Sequence, residues 1–384
     1  AQAFWFMTVR PPQAMQLDRS DASTVSAVGK PRLIVLLFDE LDYSRVTYLR
    51  PQGLDLPNWD QLSRQSLTCT QAYSPFLYTG LSIPSMFVGK YIFNIYPQND
   101  KMVTVRVMDD DSERALSDYD NLFQKIKSLG ATTSCFSWGN PFMLAFDQWI
   151  DNYYFLPFNS PIHSLSQTRP ISSLPRMLIA QWKDIANTLP KIRKKNLLKT
   201  ITTDLENHTI KYNLMLNCAR EEIGRGSSDF IWVHFPVPHG PFIFDRTLNQ
   251  CSSAQQDLSG YLGNLVLVDQ ALGSISQAIN DSKRRDQTVL LVCSDHPWRK
   301  AGLFDGKIDY RIPFVIKFPG DEQAAEYSSP LNAVMLTDLA PAILSQQLLN
   351  SQQARQWIDQ HRAQFARNGR HYGPVIKSSF HQTL

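Results

Sequence analysis

Four side chains able to bind a metal ion follow two apolar runs that lie far apart in the 384-residue chain. They are Asp39, Glu40, Asp295 and His296. The runs before them, residues 33–38 and 289–293, are typical of buried strands. Because the carboxyl ends of parallel strands share one sheet edge, where ligands bind, we expect the four side chains to meet there.

The chemistry of this set favours a metal centre. Three carboxylates and one imidazole suit Zn²⁺ or Mn²⁺ better than Ca²⁺, which usually binds oxygen ligands alone. Taken singly, an Asp-Glu pair is more often a helix cap, and an Asp-His pair after a strand is weak evidence. The placement of both pairs at strand ends is therefore the observation that supports a metalloenzyme with one divalent ion.

Hydroxyl groups between residues 78 and 87 supply candidate nucleophiles. Thr79 and Ser82 precede Pro84, a residue that can open a helix. A hydroxyl at a helix N-terminus sits in positive potential, which favours an alkoxide or a bound phosphate, and a coordinated metal ion would lower its pKa further. The simpler interpretation is a capped helix, which Ser82 alone would satisfy.

Two further side chains could act on a substrate. His239 lies in a loop between Pro238 and Pro241, where function is more common than core packing, and it could protonate a leaving oxygen or hold a phosphoryl oxygen. Lys307 follows a glycine and is a candidate phosphate contact, although an exposed loop lysine is the simpler interpretation. His234 lies within an apolar run and is interpreted as structural.

Strands and helices that would position these residues alternate along the chain. Strands are predicted near residues 33–38, 132–137, 229–234, 289–293 and 312–318. Helices are predicted near residues 57–67, 118–129, 256–280 and 335–347, and residues 174–225 have a mostly helical pattern. This alternation predicts an α/β fold with a mostly parallel central sheet and helices on both faces.

The same pattern predicts three regions. Residues 1–30 form an N-terminal arm or linker that could follow a removed membrane anchor, residues 31–348 form the main domain with the candidate catalytic residues, and residues 349–384 form a C-terminal tail, with a possible small C-terminal subdomain. The basic cluster at 191–195 is interpreted as a solvated helix face, and contact with an anionic surface is the alternative.

Composition excludes several classes of protein. The net charge of +3 is too small to indicate a nucleic-acid partner. The five cysteines form no C-x-x-C pair, so a structural zinc site is not expected, and the redox compartment is left open. No apolar run approaches the roughly 20 residues that a membrane span requires.

Taken together, these residues resemble the sulfatase-like branch of the alkaline phosphatase superfamily. Five blocks follow one another in the family's order, at 38–40, 79–86, 238–241, 294–296 and 306–320. Residues 79–87 are similar to the nucleophile segment of lipid A phosphoethanolamine transferases, and lipoteichoic acid synthases, which transfer phosphoglycerol, use a similar set of residues. The resemblance implies that Thr79 becomes phosphorylated and that His239 binds substrate.

The resemblance also implies a ligand set. The implied ligands of the metal ion are Glu40, Thr79, Asp295 and His296. Asp39 is a further candidate ligand or serves only to orient Glu40, which has the closer match to the transferases. Lys307 and Ser82 are the expected substrate contacts.

Several residues differ from the family's motifs, and these differences limit which activity and substrate the resemblance implies. Sulfatases make formylglycine from C-x-P-x-R, but Ser82 and Met86 occupy the two outer positions here, so a formylglycine sulfatase is not expected. The transferases carry cysteines that flank the nucleophile, whereas Pro75 and Ser85 stand here, so substrate identity does not carry over. Pro297 replaces the usual glycine after the Asp-His pair.

We therefore expect a transferase, dependent on one Zn²⁺ or Mn²⁺ ion, that uses a phospho-threonine intermediate. It would move a phosphoethanolamine- or phosphoglycerol-type group from a phospholipid donor to a glycan or lipid hydroxyl. The alternatives are a phosphodiesterase or formylglycine-independent sulfatase-like hydrolase on the same site, and an inactive binding module. We expect the chain to be soluble as given and to work at a membrane surface on the periplasmic or cell-surface side, anchored to the cytoplasmic membrane by a segment absent from this chain.

Overall fold

The structure is a computed structural model that describes residues 29–97, 103–108, 113–139, 141–156, 197–252 and 255–376. The strands of these residues are β1 (Arg32–Asp39), β2 (Leu67–Cys69), β3 (Ala72–Tyr73), β4 (Ile92–Pro97), β5 (Val103–Val107), β6 (Glu113–Ala115), β7 (Thr133–Trp138), β8 (Asn152–Leu156), β9 (Phe230–Pro238), β10 (Phe244–Asp245), β11 (Gln250–Cys251), β12 (Thr288–Ser294), β13 (Phe314–Lys317), β14 (Ala325–Tyr327) and β15 (Leu331–Asn332).

The α-helices of the same residues connect these strands. They are α1 (Tyr43–Val46), α2 (Pro57–Arg64), α3 (Thr79–Val88), α4 (Leu122–Ser128), α5 (Leu197–Arg225), α6 (Leu258–Asp281), α7 (Ala301–Asp305), α8 (Leu336–Leu344) and α9 (Ser351–His361). Short 3-10 segments lie at Leu116–Asp118, Pro141–Trp149, Arg285–Gln287, Ala333–Met335 and Arg362–Phe365. Within the part of the chain that is described, none of the helices combines the length and apolar character needed to cross a membrane.

The central sheet has eight strands in the order β14-β2-β13-β12-β1-β9-β7-β8. β1 lies between β12 and β9 and runs parallel to both. β13 runs antiparallel to both of its neighbours, and the other pairings in this sheet are parallel. The predicted α/β fold with a mostly parallel central sheet is therefore confirmed.

Two apolar layers bury both faces of this sheet. Alternate residues of β1 enter opposite layers, Leu33 with one and Ile34 with the other. Helices α3, α4 and α8 pack in the first layer, and α2, α5 and α6 pack in the second. Burial on both faces explains why β1 reads as a continuous apolar run and not as an alternating one.

Several elements differ from the sequence expectations. Pro84 lies inside α3, which begins five residues earlier at Thr79, so this proline does not open the helix. The helix expected at 118–129 begins at Leu122, because the side chain of Asn121 caps it by accepting from the backbone N–H of Gln124. The antiparallel sheet β4-β5-β6 was not predicted.

Some of the predictions fall on residues without a described placement. Residues 1–28, residues 377–384 and the basic cluster at 191–195 lie outside the described part of the chain. Of the segment expected to be helical over 174–225, the structure describes α5. Within the expected C-terminal tail, α9 packs Ala354 and Ile358 into the first apolar layer.

Candidate metal centre and active site

Strands β1 and β12 bring three potential ligands to one point. Phe38 of β1 pairs with Ser294 of β12, so the residues that follow the two strands are neighbours. Asp39, Asp295 and His296 are all buried, and each offers one ligand atom within 4.8 Å of the others. Nε2 of His296 lies 3.7 Å from Oδ1 of Asp39 and 3.4 Å from Oδ2 of Asp295. The sequence hypothesis that two distant strand ends converge therefore matches the geometry.

The unsatisfied atoms of this group fit a metal ion. Oδ1 of Asp295 accepts from the backbone N–H groups of Glu40 and His296 at 3.1 and 2.8 Å, whereas its buried Oδ2 has no hydrogen-bond partner among the described residues. Nδ1 of His296 pairs with the carbonyl of Pro297 at 3.0 Å, which leaves Nε2 to face the carboxylates. This second contact is typical of a metal-binding imidazole.

The negative charge of the Asp39, Asp295 and His296 group also favours a bound metal ion. Burial, reinforced by the neighbouring carboxylates of Asp295 and Glu40, raises the pKa of Asp39 well above its usual range. A buried cluster of like charges is costly unless a cation compensates it. Asp39, Asp295 and His296 therefore meet the requirements of a divalent metal site.

Glu40 lies beside this group but is paired elsewhere. Its backbone is in the left-handed region with φ of 64°, and the hydroxyl of Tyr261 donates to its carbonyl at 2.7 Å. Its Oε1 accepts from Nε of Arg299 at 2.9 Å. Burial opposes ionisation of Glu40, but its electrostatic interactions with His239, Arg299 and His296 outweigh this effect and lower its pKa. Of the two acidic residues at the carboxyl end of β1, Asp39 is the one that joins the potential ligand group.

Thr79 reaches the same point from the first turn of α3. Its Oγ1 lies 3.2 Å from Nε2 of His296 and 3.5 Å from Oδ1 of Asp39. The helix dipole adds positive potential at this hydroxyl. Ser82 is fully buried one turn further on, and its hydroxyl donates to the carbonyl of Phe76 at 2.9 Å. Thr79 is thus the hydroxyl placed at the potential metal group, while Ser82 holds the loop before the helix.

The loop after β9 places His239 over the sheet edge. Its backbone N–H donates to the carbonyl of Asp39 at 3.0 Å, and the side-chain amide of Asn264 donates to its carbonyl at 3.2 Å. The His239 ring lies 5.7 Å from the ring of Trp138, and burial lowers its pKa although Glu40 opposes this. His239 therefore lies beside Asp39 in the backbone and interacts electrostatically with Glu40.

The remaining sequence candidates occupy different places. Lys307 is exposed after α7, and it forms no hydrogen bond or ion pair with the residues that the structure describes. His234 is fully buried with Nε2 3.8 Å from Oδ2 of Asp39, and burial lowers its pKa to about 4. His234 is thus neutral at physiological pH and borders the potential metal group.

Sequence reasoning missed Arg299 and Tyr261. Arg299 pairs with Glu40, and its guanidinium lies 5.2 Å from the ring centre of Tyr78. The only signal for Arg299 is its place four residues after Asp295 in the same loop. Tyr261 lies within an apolar helix face, so nothing in the local sequence marks its hydroxyl as a contact of Glu40.

A sequence model of the Sulfatase family matches residues 31–347. The chain belongs to the sulfatase family. The resemblance to the sulfatase-like branch is confirmed, and the match places the chain in a family of enzymes. Enzymes of the sulfatase fold generally bind a divalent metal ion, in agreement with the buried Asp39 group.

Solved structures share the fold of this sulfatase-family chain at low sequence identity. Ps i-CgsB superposes with a TM-score of 0.56 at 16% identity and covers 84% of this chain and 74% of its own. The phosphonate monoester hydrolase of Agrobacterium radiobacter has a TM-score of 0.51 at 14% identity and covers 82% and 74%. The lipoteichoic acid synthase LtaP from Listeria monocytogenes has a TM-score of 0.51 at 14% identity and covers 82% and 72%. No curated protein sequence matches the chain at a significant level.

Proposed function

We propose that this sulfatase-family enzyme transfers a phosphoethanolamine- or phosphoglycerol-type group from a phospholipid to a glycan or lipid hydroxyl. The observation that carries the proposal is the contact of the Thr79 hydroxyl with Asp39 and His296. Threonine is not a precursor of formylglycine, so the hydroxyl oxygen of Thr79 itself is the proposed nucleophile. Among the structures of similar fold, LtaP bears the name of a lipoteichoic acid synthase, and lipoteichoic acid synthesis is the reaction class nearest to this proposal.

The residues proposed to hold one Zn²⁺ or Mn²⁺ ion are Asp39, Glu40, Thr79, Asp295 and His296. The bound ion would lower the pKa of the Thr79 hydroxyl and offset the charge of the phosphoryl oxygens. Glu40 would join this set only after it exchanges its present partner, Arg299. Arg299 would then be available for the phosphoryl oxygens, with Lys307 as the further contact that the sequence suggests.

The first half-reaction forms a bond between Oγ1 of Thr79 and the phosphorus and breaks the bond from phosphorus to the lipid oxygen. Thr79 gives up its proton to solvent before the attack, because the bound ion would lower the pKa of its hydroxyl. His239 donates a proton to the departing lipid alcohol. The products are a phosphodiester on Thr79 and a free lipid alcohol.

The second half-reaction reverses these transfers. The acceptor hydroxyl gives its proton to His239 and attacks the phosphorus, and the bond to Oγ1 of Thr79 breaks. Oγ1 of Thr79 leaves in its deprotonated form and His239 again carries a proton, so both residues regain their starting states. A phospholipid donor agrees with a location at the outer surface of a membrane, which we include in the proposal.

Mass spectrometry after incubation with a phospholipid, without acceptor, tests this function. We expect a headgroup phosphodiester on the peptide that contains Thr79, with one equivalent of diacylglycerol released. Thr79→Ala removes the adduct, whereas Ser82→Ala, the matched hydroxyl deletion one turn away, retains it. An adduct on Ser82 would overturn the assignment of the nucleophile. Continuous release of free headgroup, with none passed to an added sugar or lipid alcohol, would show a hydrolase and overturn the transferase.

A further inference from the structure

Two large apolar side chains face solvent next to each other on α7. Leu303 is 80% exposed and Phe304 is 44% exposed, and the five-residue helix that carries them follows the loop of the Asp295 group. Adjacent exposed apolar residues of this size are a feature of interaction sites more than of water-facing surface. The surface formed by Lys300, Leu303, Phe304 and Lys307 is called the Leu303 surface below.

A stack of aromatic rings connects the Leu303 surface to the metal group. The ring of Phe304 stacks on that of Trp298 at 5.4 Å, and Trp298 stacks on Tyr261 at 3.9 Å. The hydroxyl of Tyr261 donates to the carbonyl of Glu40, next to Asp39. The exposed residues thus lie at a fixed place beside the potential active site.

The charges around α7 leave the Leu303 surface basic. Asp305 is paired with Arg45 at 2.5 Å, and Asp309 is paired with Arg311 at 2.7 Å. Both acidic residues of the segment are therefore neutralised by arginines. The two flanking lysines, Lys300 and Lys307, are exposed and form no ion pair with described residues.

We propose that the Leu303 surface docks the enzyme on an anionic lipid bilayer. Apolar side chains flanked by lysines match the boundary between acyl chains and negatively charged headgroups. Leu303 and Phe304 would enter this boundary while Lys300 and Lys307 contact headgroup phosphates. The inference deepens the proposed function, because docking here would bring a lipid phosphodiester to the side of the molecule on which Thr79 lies.

Vesicle co-sedimentation of the whole chain tests the docking independently of catalysis. The probe is a vesicle of phosphatidylcholine with about one third phosphatidylglycerol, and pure phosphatidylcholine is the second arm. We expect binding to the anionic vesicles that weakens about tenfold in Leu303→Ser and about threefold to fivefold in Lys300→Gln. The matched control is Leu349→Ser, which removes a leucine that is 58% exposed between α8 and α9, and it should bind as the wild type does.

Activity on a small soluble phosphodiester separates this inference from the proposed function. Leu303→Ser should retain that activity and lose only turnover of vesicle lipid. If the wild type binds vesicles but transfers no headgroup, the docking stands and the proposed function falls. Equal vesicle binding by wild type and Leu303→Ser, or an equal loss in Leu349→Ser, would overturn the docking surface. Leu303-dependent self-association in sedimentation velocity, without vesicle binding, would assign the surface to a second copy of the chain and overturn it as well.

Discussion

Both ends of strand β1 carry buried charged groups, but the two ends differ in how many hydrogen-bond partners these groups have. At the amino end, the guanidinium of Arg32 donates to Thr288 at 2.8 Å, to the carbonyl of Ile223 at 2.9 Å and to Ser282 at 2.8 Å. Burial, together with the charge of Arg284, lowers the pKa of Arg32 to about 10, so it remains charged at neutral pH. Each of the three nitrogens of the Arg32 guanidinium therefore has an acceptor in place.

At the carboxyl end, some buried polar atoms lack a hydrogen-bond partner among the described residues. Oδ2 of Asp295 is buried without a hydrogen bond from described residues, and burial raises the pKa of Asp39. Native proteins satisfy nearly all buried polar groups, so an unsatisfied cluster requires an explanation. The contrast assigns stability to the amino end and ligand binding to the carboxyl end of the same strand.

The largest expected effect is on activity at the carboxyl end. Asp295→Asn retains the oxygen that accepts from Glu40 and His296 but removes the charge, so metal binding should be lost and the turnover rate should fall about a thousandfold, or about 4 kcal/mol. Steady-state kinetics and metal analysis measure this. The thermal midpoint should be retained without metal, and Asp338→Asn on α8 is the control. Global unfolding of Asp295→Asn would show that this carboxylate stabilises the fold, and it would contradict the assignment of ligand binding to the carboxyl end of β1.

The amino end should show the reverse result. Asp229 accepts from Arg284 at 2.8 Å in a buried pair, so Asp229→Asn should lower the free energy of unfolding by about 3 kcal/mol. Guanidinium denaturation measures this loss, and the rate per folded molecule should be unchanged. Asp286→Asn removes the exposed partner of Arg285 and should have no measurable effect. A loss of turnover in folded Asp229→Asn would show that the two ends are not independent.

Tyr261 should affect both properties, because it lies behind the catalytic edge. Its hydroxyl accepts from the backbone N–H of Asp42 at 3.1 Å and donates to Glu40, so Tyr261→Phe should cost about 1–3 kcal/mol of unfolding free energy. The freed Glu40 backbone should also lower turnover, by about tenfold, because the adjacent carboxylate Asp39 shifts. Denaturation and kinetics on one preparation give both values. Unchanged turnover would remove Tyr261 from the support of the site.

The smallest expected effect is a dependence of stability on pH. Burial lowers the pKa of His208 to about 3, and its ring lies 5.5 Å from that of Trp138 near the carboxyl end. The unfolded chain takes up this proton below about pH 6.5 while the folded chain does not, so stability present above that pH is lost on acidification, by up to about 1.4 kcal/mol per pH unit. His208→Gln should flatten the decline between pH 6.5 and 5 in urea titrations, and His361→Gln on α9 should not. An equal slope in wild type and His208→Gln would contradict the buried neutral imidazole.

The sequence was sufficient to predict a mostly parallel central sheet and the convergence of Asp39 with Asp295 and His296. Both signals are local, since an apolar run ends in a polar ligand and parallel strands align their ends. The sequence could not predict that Asp39 joins the ligand group while Glu40 turns away from it. The turn at Glu40 depends on Tyr261, which lies 221 positions away. The pairing of Arg299 with Glu40 spans 259 positions and has no local pattern.

Metal titration of the wild-type chain, stripped of metal, tests the central claim most directly. Isothermal calorimetry with Zn²⁺ or Mn²⁺ should show one ion bound per chain, with protons released because Asp39 has a raised pKa. The Asp39→Asn variant should lose this saturable binding. Absence of saturable binding in the wild type, or equal binding in Asp39→Asn, would contradict a metal centre at the carboxyl end of β1.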